Sequence, residues 1–320
     1  MKPLFLKDLE NFKEERGFRL ILVMDASFAL HRARFVAGKN GTPTRDHTIA
    51  IFMKILFKMI QKFSASKVYL CFDGQRSFHR LKLYPDYKGH RKNDDADLTF
   101  AAYKKARDFL VCTLPKLGFI TILEDGIEAD DFAYLISHIQ HKNHVGVHVT
   151  DDRDWFLGLF PGWSLYRPKA DELITYQQFC AMVSHEKNPR MIYLITRAIV
   201  GDKSDNISGI RGVPWEQALL LAPYILERND LGDGKYAKKV RDKIDQVYFN
   251  IKLMTPMWII SSETARIALD AAEKNVQKDF PNPFDCWQKF YAQIEEHDPR
   301  TEIRRASFDY NFLIRGLEIL

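Results

Sequence analysis

Cysteine is scarce and scattered. Four stand at positions 71, 112, 180 and 286 of a 320-residue chain, with no Cys-x-x-Cys pair. A zinc ribbon is therefore not expected, and the thiols read as reduced in an intracellular protein. No apolar run approaches the ~18 residues of a membrane span. Residues Met1 to Arg19 mix Lys, Asp and Glu and lack the apolar core of a signal peptide. A cytoplasmic protein with no membrane partner follows as the expectation. The chain also lacks a Gly-x4-Gly-Lys-[Ser/Thr] loop, which argues against ATP-driven chemistry, and it lacks His-Glu-x-x-His. Internal repeats and low-complexity linkers are missing as well.

What is present is the composition of a globular protein: 46% hydrophobic and 28% charged residues. The length suits one large domain, or one domain with a helical extension. The net charge of +5 hides a segregation of signs. Basic residues crowd into Arg76–Lys92 and Lys235–Lys243, while acids gather at a few predicted strand ends. Segregated basic stretches suit a polyanion, and clustered carboxylates suit metal ions.

Short apolar runs alternate with helical periodicity. Leu20 to Met24 reads as a buried parallel strand ending at Asp25, and Val68 to Phe72 as a second ending at Asp73. Between them, Ile51, Phe52, Ile55, Leu56, Met59 and Ile60 recur at helical spacing, predicting a helix over 48–63. A helix over 98–117, a strand at 119–123, a helix at 128–139 and a strand at 145–149 follow. The segment 163–166 reads as a weaker edge strand. Beyond about residue 185 the pattern is helical. The predicted fold is α/β, a mostly parallel central sheet with helices on both faces.

Open α/β sheets place their sites at the carboxyl ends of strands. Asp25, Asp73 and the Asp152/Asp154 pair would converge there. Glu128-Ala129-Asp130-Asp131 opens a helix, with Glu128 and Asp131 three apart, as are Asp202 and Asp205. Each acid alone fits turn chemistry or a helix dipole. So many in one crevice would repel unless cations offset them. An oxygen-only ligand set suits Mg²⁺ or Mn²⁺, and two such ions suit phosphodiester hydrolysis. Between the second and third acidic groups lie Arg76, Arg80, Lys82, Tyr84, Tyr87, Lys88, Arg91 and Lys92. The cations can meet phosphates and the tyrosines can stack on unpaired bases. Gly209, Arg211 and Gly212 lie in a turn whose backbone N–H groups could approach a phosphate. Lys235, Lys238, Lys239 and Arg241 either extend that surface or form a solvated helix face.

The set Val23-Met24-Asp25, Cys71-Phe72-Asp73-Gly74, Glu128-Ala129-Asp130-Asp131, Thr150-Asp151-Asp152-Arg153-Asp154 and Gly201-Asp202-Lys203-Ser204-Asp205 resembles the 5′ nuclease family in order and spacing, across roughly residues 19 to 225. That family includes flap endonucleases, phage 5′ exonucleases and the 5′ nuclease domain of bacterial DNA polymerase I. The resemblance implies a PIN-like core over 19–200 after a helical leader at 1–18. A helical arch would lie at about 76–110, and a helical region over 201–320 would carry a helix-hairpin-helix-type duplex-binding element. It implies that Asp25, Asp73, Glu128, Asp130 and Asp152 surround one ion and that Asp131, Asp154, Asp202 and Asp205 hold or position a second. The alternative pairing of Asp151 with Asp154 stays open.

By the same resemblance, Lys88 meets the scissile phosphate, assisted by Arg91, and Asp130 takes part in catalysis. Arg76, Arg80, Tyr84, Tyr87, Lys92, Gly209, Arg211 and Gly212 would contact DNA. A potassium ion is implied at the hairpin, although the sequence continues there with Pro214-Trp215 instead of the family's glycine and basic residue. The implied partner is DNA with a 5′ flap or a single-stranded 5′ end, with an RNA–DNA hybrid in primer removal. A free-standing monomer of the kind phages encode is expected. The last stretch, with Arg304-Arg305 and the apolar Phe312 to Leu320, either packs on the core or meets a replication protein. Two other readings remain: a PIN-type ribonuclease, and a DNA-binding protein with a decayed site. Against the second, every family carboxylate is still an acid here.

Overall fold

The structure, a computed structural model, describes residues 20–40, 42–90, 98–140 and 144–276. The predicted leader, Arg91, Lys92, Cys286 and the Arg304-to-Leu320 stretch lie outside them. The described residues divide into two compact units. One holds residues 20–72, 98–123 and 267–276; the other holds 73–90, 124–140 and 144–266.

In the first unit the strands run in the order β3-β2-β1: β1 is Leu20–Asp25, β2 Lys67–Asp73 and β3 Ile120–Glu124. β1 and β2 are parallel, with Ile21 opposite Lys67 and Asp25 opposite Cys71. Every residue of β1 is buried, as expected of a strand covered on both faces. The helices Ala26–Ala37 and Arg45–Phe63 pack on β1 and on each other, and the helix Leu98–Thr113 packs on both. The Arg45–Phe63 helix starts three residues before the position its apolar spacing predicts. The Thr44 hydroxyl accepts a hydrogen bond from the His47 amide and caps the first turn. Ser64, at φ 46°, ends the helix in the left-handed region. Phe52 of this helix stacks on Phe72 of β2, with ring centroids 6.2 Å apart. The predicted helix over 98–117 stops at Thr113. Pro115 then forces a 3₁₀ turn over Leu114–Leu117 that closes at Gly118.

The second unit holds β4 (Val145–Val149), β5 (Trp163–Arg167) and β6 (Glu172–Thr175) in that order. β4 and β5 are parallel, and β6 returns antiparallel on β5. The expectation that 163–166 forms an edge strand is corrected here. β6 covers its outer side, and four residues with a single buried position gave no periodic signal in the sequence. The helix Ala129–Gln140 lies against the 3₁₀ turn Asp154–Gly158. The helix Pro189–Val200 packs on Trp215–Glu227 and Ile244–Met254, so the described residues beyond 185, up to 276, are mostly helical. Between the first two lies a two-residue ladder, β7 (Gly201–Asp202) antiparallel to β8 (Ile207–Ser208), followed by a turn. Among the described residues no helix is long and apolar enough to cross a membrane.

Candidate functional site

The Ala129–Gln140 helix begins where an Asp73 carboxylate oxygen accepts a hydrogen bond from the Ala129 amide at 2.9 Å. The acid ending β2 thus caps a helix whose first turn carries Asp130 and Asp131. Glu128, Asp130 and Asp131 each bring an oxygen within 4.8 Å of the others. Asp131 is wholly buried and is gripped through both oxygens by Arg80, at 2.7 and 2.8 Å. The same guanidinium stands 3.1 Å from Glu128 and 3.7 Å from Asp130, and its Nε donates to the Leu253 carbonyl. Lys88 Nζ lies 2.8 Å from Glu128 and 3.7 Å from Asp205. Its backbone adopts φ 53°, and its amide donates to the Asp205 carbonyl. A non-glycine residue held in the left-handed region is a costly placement that surrounding contacts must maintain.

A second group, Asp154, Asp202 and Asp205, also brings its oxygens within 4.8 Å of one another. Arg197 bridges it, 2.6 Å from Asp154 and in short contact with Asp202. The Ser204 amide and hydroxyl both donate to Asp202 Oδ1, at 2.7 and 2.6 Å. The Tyr87 hydroxyl connects the two groups, 2.8 Å from Glu128 and 2.9 Å from Asp205. Asp152 accepts the Asp154 amide at 3.0 Å. Asp151 instead accepts the Lys169 amide and faces Arg167 at 4.0 Å.

The protonation preferences follow from this crowding. Burial alone would favour a neutral Arg80, but Asp131, Asp130 and Glu128 outweigh it and hold the guanidinium charged. Burial pushes Glu128 up, yet Lys88 and Arg80 hold it well below the usual carboxylate range. Asp130 is raised by burial and then by Asp131 beside it. Asp154 is pushed up to about 6 by burial, with Arg197 opposing and Asp152 and Asp202 adding to the rise. Asp205 is raised by burial against the pull of Lys88. Two crowded carboxylate groups, in which Asp130, Asp131, Asp154 and Asp205 resist ionisation, with oxygen donors alone and no His or Cys among them, fit hard divalent cations. Such ions would relieve the repulsion that Lys88, Arg80 and Arg197 offset only in part.

Other expected residues fall differently. Asp25, in the first unit, is 6% exposed and caps the Ala26–Ala37 helix by accepting the Phe28 amide at 2.8 Å. Arg80 and Tyr87, expected to meet phosphates and bases, are 3% and 1% exposed. This corrects that expectation: both are consumed by the carboxylates, and neither offers a face to a strand. Tyr84 is half-buried, edge-on to Phe249. Arg76 is exposed, with one nitrogen 3.4 Å from the Tyr87 carbonyl. Arg91 and Lys92 are outside the described residues. Arg211 is exposed, and its carbonyl accepts from Lys239 Nζ at 3.3 Å. Gly212 adopts φ 75°. Gly209 meets its neighbours by backbone packing: an added Cβ would lie 1.9 Å from the Val200 carbonyl oxygen. Sequence reasoning missed Arg197. Its only signal was a cation near the end of a largely apolar helix, five residues before Asp202.

Comparison with known proteins agrees with this geometry. A 5′-3′ exonuclease of Aquifex aeolicus (strain VF5) is 27% identical over 271 residues, covering 81% of this chain and 91% of the relative. DNA polymerase I of Mycobacterium tuberculosis is 24% identical over 253 residues, which is 75% of this chain but 27% of the polymerase. Among solved structures, bacteriophage T5 5′-exonuclease with bound zinc superposes with a TM-score of 0.65 at 20% identity, covering 82% of this chain and all of that one. The T5 flap endonuclease complex with DNA and metal ions gives 0.64, covering 81% and 98%. Residues 20–183 match the family model described as the 5′-3′ exonuclease N-terminal resolvase-like domain, so the chain belongs to that family.

Proposed function

We propose that this protein is a divalent-metal-dependent 5′ nuclease that hydrolyses DNA phosphodiesters at junctions of single strand and duplex, as an exonuclease and a flap endonuclease. The observation that carries the reading is the pair of carboxylate groups, buried or half-buried, that face Lys88 from two sides. Family membership supplies the reaction class, and the names of its relatives supply the 5′ polarity. The metals are Mg²⁺ or Mn²⁺, two in number, one at Glu128, Asp130 and Asp131 and one at Asp154, Asp202 and Asp205. Bound there, they would supply Lewis-acid activation of water and neutralisation of charge on the leaving oxygen.

The chain's own residues do the rest. Asp73 and Arg80 fix the Glu128–Asp131 turn, so its oxygens are presented without side-chain rearrangement. Lys88 supplies the cation that meets the phosphate. Its ammonium can leave Glu128 for an approaching phosphate and stabilise the negative charge that grows in the transition state. Tyr87 holds the two acidic groups at a fixed separation through one hydroxyl.

The test is cleavage of a 5′-flap DNA labelled on the flap, in Mg²⁺ and in EDTA, by the wild type, Asp130→Asn and Lys88→Ala. Metal-dependent release of the flap, abolished by Asp130→Asn and strongly slowed by Lys88→Ala, is the expected result. Tight binding with no cutting in Mg²⁺ or Mn²⁺ would overturn the enzyme reading. Cleavage of single-stranded RNA in place of flap DNA would overturn the substrate.

A further inference from the structure

Arg34 lies near the end of the Ala26–Ala37 helix of the first unit, the helix that Asp25 caps. It is 6% exposed, yet its Nε and Nη1 are buried and make no hydrogen bond. No ion pair involving Arg34 exists among the described residues. A buried charge without a partner is among the most costly placements in a protein, and buried charges are ordinarily paired or bound to a counter-ion. What surrounds Arg34 is aromatic. The guanidinium carbon stands 5.0 Å from the ring centre of Phe35, 5.7 Å from Phe100 and 6.0 Å from Tyr103. Tyr103 stacks in turn on His31, with centroids 4.1 Å apart, and on Phe100 at 5.5 Å. These rings offset part of the charge's desolvation but satisfy none of its N–H donors.

Phe35, beside the guanidinium, is 67% exposed. An exposed ring next to a preformed guanidinium fork is the pairing that holds one base by stacking and its phosphate by two parallel hydrogen bonds. Lys104, over the Phe100 ring at 5.0 Å, adds a second positive charge to the same cluster. Arg80, by contrast, spends its donors on Asp131, Glu128 and Leu253, so the two buried arginines among the described residues are opposite cases.

We propose that Arg34, with Phe35, Phe100 and Tyr103, forms a phosphate-binding site that takes a backbone phosphate of single-stranded nucleic acid. The phosphate chemistry stands on the unpaired guanidinium. The choice of a strand over free phosphate rests on the nuclease reading above and on the exposed ring of Phe35.

The experiment uses the full chain in EDTA, so that no cleavage occurs. Fluorescence anisotropy reads the affinity for a labelled DNA hairpin with a 5′ oligothymidylate tail and for the same hairpin without it. The proteins are the wild type, Arg34→Met, Arg34→Lys and Phe35→Ala. Melting curves with and without inorganic phosphate run beside them. Arg34→Met removes the charge and keeps the stem among the rings; Arg34→Lys keeps the charge and loses the fork. If the site takes a strand, Arg34→Met weakens the tailed hairpin about tenfold and lowers the salt slope of its binding by about one. Arg34→Lys and Phe35→Ala fall between, the blunt hairpin is unaffected, and Arg34→Met melts no lower than the wild type. Equal affinity of wild type and Arg34→Met for the tailed hairpin overturns the strand assignment. If phosphate then still raises the melting point of the wild type alone, the occupant is a free phosphate; if it does not, the site itself is overturned. A wild type that binds neither hairpin counts against the nuclease reading instead, and the phosphate melting curves then decide the pocket by themselves.

Discussion

A guanidinium nitrogen of Arg197 stands 2.6 Å from the Asp154 carboxylate, and the same nitrogen contacts Asp202. The arginine is therefore an internal counter-ion in a group of three acids. Arg197→Met leaves Asp154 and Asp202 without that cation. Breaking one side of a pair this well enclosed costs about 3 kcal/mol, which lowers the melting point by several degrees in EDTA. A divalent cation binding the folded state alone restores stability, by about 2.7 kcal/mol at a hundred times its dissociation constant. The variant should therefore gain more from Mn²⁺ than the wild type does. Equal Mn²⁺-induced shifts in the two proteins would show that Arg197 and the cation do not share the site.

Lys88 should separate chemistry from binding. Its ammonium meets Glu128 and Asp205, not a surface anion, so Lys88→Met ought to change single-turnover cleavage far more than affinity. Loss of one preformed cation aimed at developing charge slows such reactions about 10²–10³-fold. Affinity for flap DNA in EDTA should stay within about threefold, since one phosphate contact is a small part of the total. A parallel fall in both quantities would mean that Lys88 serves ground-state binding.

Much of this site was legible because each acid sits at a break in an apolar pattern. Asp25 and Asp73 end continuous apolar runs, and the runs became β1 and β2. Asp130 and Asp131 open a helix whose inner face is apolar, and Asp73 turned out to be the residue that caps it. The partners of those acids were not legible. Arg80 and Tyr87 occur in a basic, polar stretch that looks solvated. Only the fold brings Arg80 to Asp131, 51 residues on, and Tyr87 to Asp205, 118 residues on. β6 escaped for a different reason: four residues carry too little periodicity to register as a strand.

Gly209 and Gly212 carried the same expectation and should respond differently to alanine. At Gly209 a Cβ would meet the Val200 carbonyl oxygen at 1.9 Å and the Gly201 nitrogen at 2.5 Å. Those are backbone atoms that cannot swing aside, so Gly209→Ala must separate the end of the Pro189–Val200 helix from β8, at about 3 kcal/mol. At Gly212 a Cβ meets only the flexible end of Lys239, at 3.0 Å, and the penalty is that of φ 75°, about 1 kcal/mol. Thermal melting of the two variants checks the order. If Gly212→Ala proves the more damaging, the close approach at Gly209 is not what holds the turn.

His148 gives the chain a pH dependence that does not pass through the carboxylates. It is fully buried, edge-on to Trp155 and 5.0 Å from Trp163. Burial depresses it to about 3, offset only slightly by the Trp155 backbone. The folded state thus keeps the ring neutral, while the unfolded chain protonates it near 6.5. The unfolded state binds the extra proton, so this contribution is complete above 6.5 and is lost as the pH falls toward 3, by about 1.4 kcal/mol for each unit. His148→Leu removes the titration. The melting points of wild type and variant, taken in EDTA from pH 7.5 to 5, should differ by an amount that changes with pH. The wild type should fall more steeply below 6.5. Parallel curves would mean that His148 titrates in the fold as it does in the unfolded chain, and that burial does not hold the ring neutral.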